Sequence, residues 1–369
     1  MGANRGIFAA SKHSRYCKAQ LDYPVSTDCA DDFVRAIIKY VRENRIDLVL
    51  PLTDWTMGPL AERRVEFRDA CRLAVPPDEA LRIAGDKYET VRMAKTEGIS
   101  TPGTWLIASK SDLDRLPELA FPAVVKDRFS VRWIGDKAVF GSVSYAYSRE
   151  DLDSQVVSRL AAAGDVLLQE FVSGRGVGFS CFVAGGEVYL PFQWQRIREV
   201  DPRGSASSAR KSIPLDPAVV AASSALITRI GFEGIAMVEY KQASEGSAPI
   251  LMEINGRPWG SIALPIASGI DYPRYLIDWY LERSLPPKSS AYREGVTCRR
   301  AVGELSHLAN VRAGKPAGWP GAYPHFWPTL LRVSLPWYPG MHYDELSLSD
   351  LRPGVAELRN WLRTRMARK

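Results

Sequence analysis

Two acidic residues and an amide in the second half of the chain have the types and spacing of a metal site. Glu239 and Glu253 lie in neighbouring apolar stretches that alternate with a period of two residues, which is typical of strands. The polar stretch between them predicts a hairpin loop and contains Gly246, the midpoint of positions 239 and 253. A hairpin centred there places the two carboxylates opposite each other, with Asn255 further along the same face.

Two opposed carboxylates repel each other unless a cation lies between them, because side chains facing each other across a hairpin are about 5 Å apart. Carboxylates and an amide oxygen suit Mg²⁺, with Mn²⁺ as an alternative ion, and Mg²⁺ usually also binds phosphate. Arg257 has the forked geometry to bind that phosphate. The spacing is also compatible with an exposed hairpin face that carries scattered polar residues. In either case Ile250, Met252 and Ile254 are expected to form the buried face of the second strand.

The bulk composition is that of an ordinary globular protein. The 369 residues are 46% hydrophobic and 24% charged, enough for two or three domains with their own cores. The net charge of +6 fits an anionic ligand and does not require nucleic acid. Five scattered cysteines and four histidines lack ligand spacing, which argues against a disulfide framework and a zinc site. No signal peptide or membrane-spanning apolar run is evident, so a cytoplasmic location is expected.

The first part of the chain predicts a small doubly wound α/β domain. Its expected elements are strand 6–10, helix 31–44, strand 47–52, helix 56–67 and strand 72–75. The second strand leads into the polar residues Thr53 and Asp54, at the sheet edge where such domains bind ligands. Domains of this type open with a further strand and helix, so we expect that first unit to be absent from this chain.

The rest of the chain predicts a larger α/β region. Its expected elements are helix 87–97, strand 121–126, a basic loop 127–137, strand 139–147, helix 148–163, strands 166–172, 179–184 and 188–194, and helix 217–230. The stretch 195–212, rich in arginine and serine, indicates either a mobile surface loop or a loop that holds an anionic substrate. Its candidate substrate-binding residues are Arg196, Arg198, Ser205, Ser208 and Arg210.

Six motifs in this order resemble the ATP-grasp superfamily, in particular its biotin carboxylase and carbamoyl-phosphate synthetase type. They are Asp86-Lys87 before a helix, GISTPGTW (98–105), FPAVVKD (121–127), VLLQEFVSG (166–174), GFEGIAMVEYK (231–241) and LMEINGRPWGS (251–261). The resemblance covers about the first four-fifths of the chain. It implies an α/β ATP-grasp fold over 85–285 with a lid at about 121–190, a pre-ATP-grasp domain over 1–84 and a C-terminal extension over 286–369.

The resemblance also implies roles for the matched residues. The residues that match Mg²⁺ ligands are Glu239, Glu253 and Asn255. Arg257 and Lys126 match catalytic residues that contact the phosphoryl groups. The residues that match ATP contacts are Lys87, Lys126, Gln169, Glu170, Phe171 and Val172, the last four being the hinge that binds adenine.

Three features depart from the family pattern. The lid loop of the relatives is rich in glycine, whereas 127–139 contains only Gly135. The relatives often carry an acid for the ribose just after the hinge, where this chain has the glycine-rich stretch 174–178. The substrate signature of biotin carboxylases is also not evident.

The resemblance implies a ligase that phosphorylates a carboxylate with ATP and lets an amine displace the phosphate. The expected partners are therefore small-molecule carboxylates and amines. ATP-dependent carboxylation or carbamoyl-phosphate-type synthesis is the alternative enzyme, and a non-catalytic ATP-binding regulatory module is the alternative outside enzymes.

The aromatic and proline-rich tail ends in a predicted basic amphipathic helix. Its apolar face comprises Val355, Leu358, Trp361, Leu362 and Met366. We expect this helix to pack on the body through Leu358 and Trp361. Contact with an anionic membrane is the alternative, and a homodimer is left open.

Overall fold

The computed structural model describes residues 2–4, 8–24, 26–244, 246–289 and 291–366. The first part contains short elements: β1 (Gly2–Asn4), β2 (Leu21–Tyr23), α1 (Ala30–Asn44), β3 (Leu48–Val49), α2 (Asp54–Glu62) and β4 (Arg72–Leu73). β1 pairs in parallel with β2, and β3 with β4, so two separate pairs of strands replace the single three-stranded sheet that was predicted.

Four N-terminal elements differ from their predicted bounds, among them the strand predicted at 72–75, which ends at Leu73. Of the strand predicted at 6–10, positions 6 and 7 lie outside the described residues, and a 3-10 helix begins at Ala10. The strand predicted at 47–52 stops at Val49, close to Pro51, which lacks the amide that a strand ladder needs. Helix α2 begins at Asp54 and ends at Glu62. Helix α1 agrees closely with its prediction.

The second part is a four-stranded antiparallel sheet in the order β5-β10-β6-β9. Its elements and the preceding helices are α3 (Asp78–Gly85), α4 (Lys87–Thr96), β5 (Thr104–Ile107), β6 (Ala123–Lys126), β7 (Val131–Ile134), β8 (Lys137–Phe140), β9 (Val143–Ala146), α5 (Arg149–Ala163) and β10 (Val166–Glu170). Helix α5 packs on this sheet through Leu152 and Val156, both fully buried. Ser148 caps its first turn and Gly164 ends it in the left-handed conformation, as predicted.

The prediction of a basic loop at 127–137 is wrong, because the second half of this stretch forms a hairpin of β7 and β8. Ile134 pairs with Lys137, which leaves a two-residue turn. Gly135 opens that turn at φ +60°, a conformation that glycine adopts without steric penalty. The strand predicted at 139–147 is accordingly divided between β8 and β9.

The third part is a seven-stranded sheet in the order β15-β14-β11-β12-β13-β16-β17, with apolar cores on both faces. Its elements are β11 (Arg175–Ala184), β12 (Glu187–Glu199), β13 (Ser207–Ser212), α6 (Pro217–Arg229), β14 (Gly234–Gln242), β15 (Ile250–Asn255), α7 (Ala263–Ser268), α8 (Tyr272–Glu282), β16 (Thr297–Arg299), α9 (Ala301–Ala313), α10 (Phe326–Ser334), β17 (Met341–Tyr343) and α11 (Arg352–Met366). The prediction of a loop at 195–212 is wrong, because most of this stretch lies in β12 and β13.

The C-terminal region contributes β16 and β17 to this sheet, beyond β13. Helix α11 is present, but Leu358, predicted to pack on the body, is 41% exposed. Leu362 and Met366 are exposed as well, while Gly354 is buried against Leu346. None of the helices in the described part of the chain is long and apolar enough to cross a membrane.

The hairpin of β14 and β15 has the register that the sequence predicts at its acidic pair, with Glu239 directly opposite Glu253. A β-bulge follows, because Tyr240 pairs with Leu251 and Met252 is the extra residue. The predicted buried face is therefore wrong in part. Leu251 and Ile254 are buried in the core, whereas Met252 is only half-buried.

Candidate active site

A row of paired residues crosses one face of the large sheet and carries the acidic pair. Glu253 is opposite Glu239, Glu239 is opposite Gly178, and Gly178 is opposite Trp194. A Cβ atom on Gly178 would lie 2.1 Å from the Trp194 ring, and one on Gly176 would lie 2.6 Å from the Arg196 side chain. Both glycines therefore let the large side chains of β12 lie across β11 towards the acids.

Arg196 reaches across β11 and forms an ion pair with Glu239. Its guanidinium also donates to Glu199 at 2.7 Å and to the carbonyl of Ser205 at 2.9 Å. Burial raises the pKa of Glu239, and the Arg196 charge opposes that rise, while Glu253 adds to it. The guanidinium thus supplies part of the positive charge that two opposed carboxylates require.

The donor set fits a hard divalent cation. Glu239 and Glu253 supply carboxylate oxygens, and Asn255 is close enough for its amide nitrogen to donate to Glu253 at 3.4 Å. Within the described ranges, no group of three His, Cys, Asp or Glu side chains is placed to hold a metal. The Asn255 amide is the further oxygen donor beside the two carboxylates, and Mg²⁺ accepts ligands of this kind.

Two lysines lie next to the acidic pair. Lys126, at the end of β6, is only 6% exposed, and burial lowers its pKa to about 8 while Glu253 opposes that shift. Burial also lowers the pKa of Lys87, with Glu253 and Asp54 opposing the shift, and its ammonium donates to Ser130 at 2.8 Å. Two ammonium groups near each other have the charge and the hydrogen-bond donors to bind phosphate oxygens.

Arg257 forms an ion pair with Asp54 at 2.8 Å. Asp54 is the first residue of α2, so the N-terminal part of the chain contributes a carboxylate to the site. The guanidinium would have to exchange this partner to contact a phosphoryl group.

The predicted hinge is largely engaged by other protein groups. Glu170 accepts a hydrogen bond from the backbone amide of Gly103 at 2.8 Å. Lys241 donates to the carbonyl of Val172, also at 2.8 Å. The ring of Phe171 lies 5.1 Å from that of Trp319, which the sequence did not indicate as a site residue. Gln169 is buried and donates to Thr104 at 2.8 Å.

A cavity of about 400 Å³ is lined by the acidic pair and residues near it. Its lining includes six predicted site residues: Arg196, Ser205, Glu239, Glu253, Asn255 and Arg257. It also includes Trp194, Ser207, Trp259 and Arg300, which the sequence analysis did not select.

Comparison with known proteins connects this arrangement to a family. The model of a family described as "ATP-grasp in the biosynthetic pathway with Ter operon" matches residues 163–302, which contain the acidic pair. The structure is similar to biotin carboxylase from Campylobacter jejuni, with a TM-score of 0.63 and 15% identity over 80% of this chain and 68% of that one. This chain is an ATP-grasp superfamily protein.

Two further matches span a smaller share of the other protein's length. The ATP-grasp chain is 27% identical over 193 residues to the vancomycin/teicoplanin A-type resistance protein VanA of Enterococcus faecium, which is 48% of this chain and 53% of that protein. L-amino acid ligase from Bacillus licheniformis matches with a TM-score of 0.55 and 16% identity, over 72% of this chain and 63% of that one. The ATP-grasp chain thus spans about half the length of VanA.

Three of the predicted substrate residues of the ATP-grasp protein do not line the cavity. Arg198 and Ser208 both bind Glu304 of α9, at 2.6 and 2.7 Å, and Arg210 pairs with Asp344 beyond β17. A bulge between Arg196 and Arg198 separates the two arginines, since Arg196 pairs with Arg210 and Arg198 with Ala209. These charges are therefore engaged in buried contacts with the C-terminal region.

Little in the sequence indicates the cavity residues that were not predicted. Trp194 is the last residue of the strand predicted at 188–194 and resembles any core aromatic. Only the glycine opposite it on β11 shows that its ring lies across the sheet face. Arg300 lies beyond the last of the six motifs, 45 residues after Asn255. No local pattern connects it to the acidic pair.

Proposed function

We propose that this ATP-grasp protein is an ATP- and Mg²⁺-dependent ligase that activates a carboxylate as an acylphosphate for attack by an amine. The observation that carries the proposal is the opposed pair of Glu239 and Glu253, which lines one cavity together with Asn255 and Arg257. The charges of Lys126 and Lys87 both interact with Glu253. A protein that only bound nucleotide would have little physical reason to keep two acids face to face. Similarity to VanA and to an L-amino acid ligase supports the same class of reaction.

In this proposal Glu239, Glu253 and Asn255 hold Mg²⁺, which supplies charge neutralisation for the phosphates of ATP. Lys126 and Lys87 bind phosphate oxygens, and an anion beside them raises their lowered pKa values again. Arg257 leaves Asp54 and stabilises the transferred phosphoryl group. The hinge at 169–172 binds adenine.

The proposed reaction has two steps. A carboxylate oxygen attacks the γ-phosphorus, the bond to the β-phosphate oxygen breaks, and ADP leaves. The amine then attacks the acyl carbon, the carbon–oxygen bond to phosphate breaks, and inorganic phosphate leaves as the amine loses a proton. Positioning and charge neutralisation by the side chains account for most of the catalysis expected.

The test is Mg²⁺-dependent release of ADP with a panel of amino acids and small carboxylic acids, each with amine acceptors. We expect ADP release that requires one particular acid and falls at least about a hundredfold in Glu253→Gln. Glu282→Gln, which changes an exposed acid on α8, is the matched control and should behave as wild type.

Two results would contradict the proposal. ADP release that depends on bicarbonate and on no other acid would favour a carboxylase. ATP binding without turnover for any combination of acid and amine would favour a regulatory ATP-binding module.

A further inference from the structure

Helix α11 presents an apolar stripe to solvent. The stripe begins just before the helix, repeats every three or four residues, and comprises Leu351, Val355, Leu358, Leu362 and Met366. Each of these side chains is between 41% and 68% exposed. The opposite side of the helix holds it to the body, where Gly354 is buried and Glu357 pairs with Arg300 at 2.8 Å. The stripe therefore points away from the rest of the protein.

Arginines border this stripe on both sides. Successive residues of a helix are rotated by about 100°, which places Arg352, Arg359 and Arg363 along one border and Arg365 along the other. All four are exposed. Arg352 lies close to Asp350, and Arg365 lies over the ring of Trp361. Within the described part of the chain, Arg359 and Arg363 form no ion pair, so their guanidinium groups can bind anions from solvent.

A groove of about 640 Å³ runs along the first arginine border, between α11 and the 3-10 helix at Ala10–His13. Its lining includes three arginines and three apolar residues: Arg352, Arg359, Arg363, Phe8, Leu351 and Val355. No described acid lines it. Ser14 and the backbone amide of Arg15 donate to Asp350 at 2.6 and 2.9 Å, which connects the two walls. The groove can therefore receive a molecule that has an anionic group and an apolar remainder.

The distribution of charge distinguishes between possible partners of the stripe. A two-fold contact brings the same residues of both copies together, so a second copy would place its own arginines against these. Like charges at that distance repel each other. An anionic bilayer instead offers negative headgroups above an apolar layer, which matches an apolar stripe between rows of arginines. Long arginine side chains reach the headgroups while their apolar neighbours enter the layer beneath.

We propose that α11 docks this ATP-grasp protein on the surface of an anionic membrane. The helix is about 22 Å long and lies in the plane of the interface, without crossing the bilayer. The stripe enters the boundary between headgroups and acyl chains, and Arg359 and Arg363 bind the headgroups. This inference is independent of the proposed ligase function, because α11 contributes no residue to the lining of the cavity at the acidic pair.

The test is flotation of the full chain with lipid vesicles. We expect the protein to float with vesicles of phosphatidylcholine mixed with phosphatidylserine and to remain unbound with phosphatidylcholine alone. Binding should fall as the NaCl concentration is raised, because salt screens the attraction between the arginines and the headgroups. Soluble glycerophosphoserine should not compete at concentrations that match the vesicle headgroups, since it lacks the apolar layer.

Two double variants assign the binding to α11. Arg359→Gln combined with Arg363→Gln should weaken it about twentyfold, since each arginine near an anionic surface changes affinity about fivefold. Arg35→Gln combined with Arg42→Gln removes the same charge from exposed positions of α1 and is the matched control.

Leu358→Gln combined with Leu362→Gln tests the apolar stripe and should weaken binding at least about tenfold. Leu285→Gln, which alters another exposed leucine, is its control and should bind as wild type. All of the substituted residues are exposed, and thermal unfolding checks that each variant is folded.

Four outcomes overturn the docking proposal. They are equal binding to both kinds of vesicle, unchanged binding in the Arg359 and Arg363 double variant, competition by glycerophosphoserine, and a dimer that the Leu358 and Leu362 double variant dissociates in sedimentation equilibrium. Competition by the soluble headgroup would identify a small-anion site, and the dimer would assign the stripe to a second copy. Glu253→Gln should float as wild type does, so loss of ligase activity and loss of docking are distinguishable.

Discussion

Arg196 is the residue whose removal best tests the electrostatics of the acidic pair. In Arg196→Gln the ion pair with Glu239 disappears, together with the bonds to Glu199 and to the carbonyl of Ser205. Glu239 and Glu253 then remain opposed without the guanidinium. We expect the free energy of unfolding to fall because a largely buried carboxylate has lost its counter-charge.

The magnitude follows from the burial of the pair. Removing one partner of a buried ion pair destabilises a protein by about 3–5 kcal/mol. The side chains of Arg196 and Glu239 remain 18% and 17% exposed, so water stabilises the remaining charge in part. We therefore expect Arg196→Gln to lower the free energy of unfolding by the smaller value of this range, about 3 kcal/mol, near pH 7 in the absence of divalent cations.

The destabilisation caused by Arg196→Gln should depend on pH. Burial raises the pKa of Glu239 in the folded protein, and loss of Arg196 raises this pKa further. A carboxyl whose pKa is higher in the folded state takes up a proton on folding, so the free energy of unfolding falls as pH rises through that range. The destabilisation caused by the substitution should therefore be larger near pH 7 than near pH 5.

Urea denaturation of wild type and Arg196→Gln, with and without Mg²⁺, measures these effects. Mg²⁺ should stabilise the variant more than wild type, because the ion supplies the charge that the guanidinium supplied. Arg82→Gln, which removes an exposed pair with Glu79 on α3, is the control and should change little. A loss below about 1 kcal/mol, or equal stabilisation of both proteins by Mg²⁺, refutes the reasoning.

Three further predictions concern the surrounding residues. The pKa of Lys126 is lowered to about 8, so Lys126 loses its positive charge as pH rises through that value and the affinity for ATP should fall. Arginine stays charged, so Lys126→Arg should remove this pH dependence in a nucleotide titration. Gly178→Ala places a Cβ 2.1 Å from the ring of Trp194 and should lower the free energy of unfolding by about 1–3 kcal/mol in urea, whereas no change would show that the ring moves freely. Trp319→Ala removes the ring that packs on Phe171, and we expect the KM for ATP to rise severalfold with kcat little changed; an unchanged KM would exclude Trp319 from shaping the hinge.

The register of the acidic hairpin could be predicted because it depends on local information. Alternation with period two and a polar loop around Gly246 are sufficient to pair Glu239 with Glu253. The bulge at Met252 could not be predicted, since Ile250, Leu251 and Met252 are all apolar and allow either face to be buried. The bulge changes which of the residues before Glu253 are buried in the core, but it leaves Glu239 opposite Glu253.

The arginines of β12 and β13 show where sequence reasoning failed. A stretch rich in arginine and serine resembles a solvated loop when its partners are unknown. Glu304 lies 106 residues after Arg198, and Asp344 lies 134 residues after Arg210. No local pattern reveals an ion pair across that distance, so buried strands were mistaken for a substrate loop.

These same ion pairs bear on the order in which the protein matures during synthesis. Arg210 is 1% exposed and would be an uncompensated buried charge without Asp344. The partner of Arg210 lies beyond β17, so β13 cannot be neutralised in its final position until Asp344 has left the ribosome. Because β12 and β13 form one wall of the cavity, the nascent chain should acquire a finished binding site only near the end of translation.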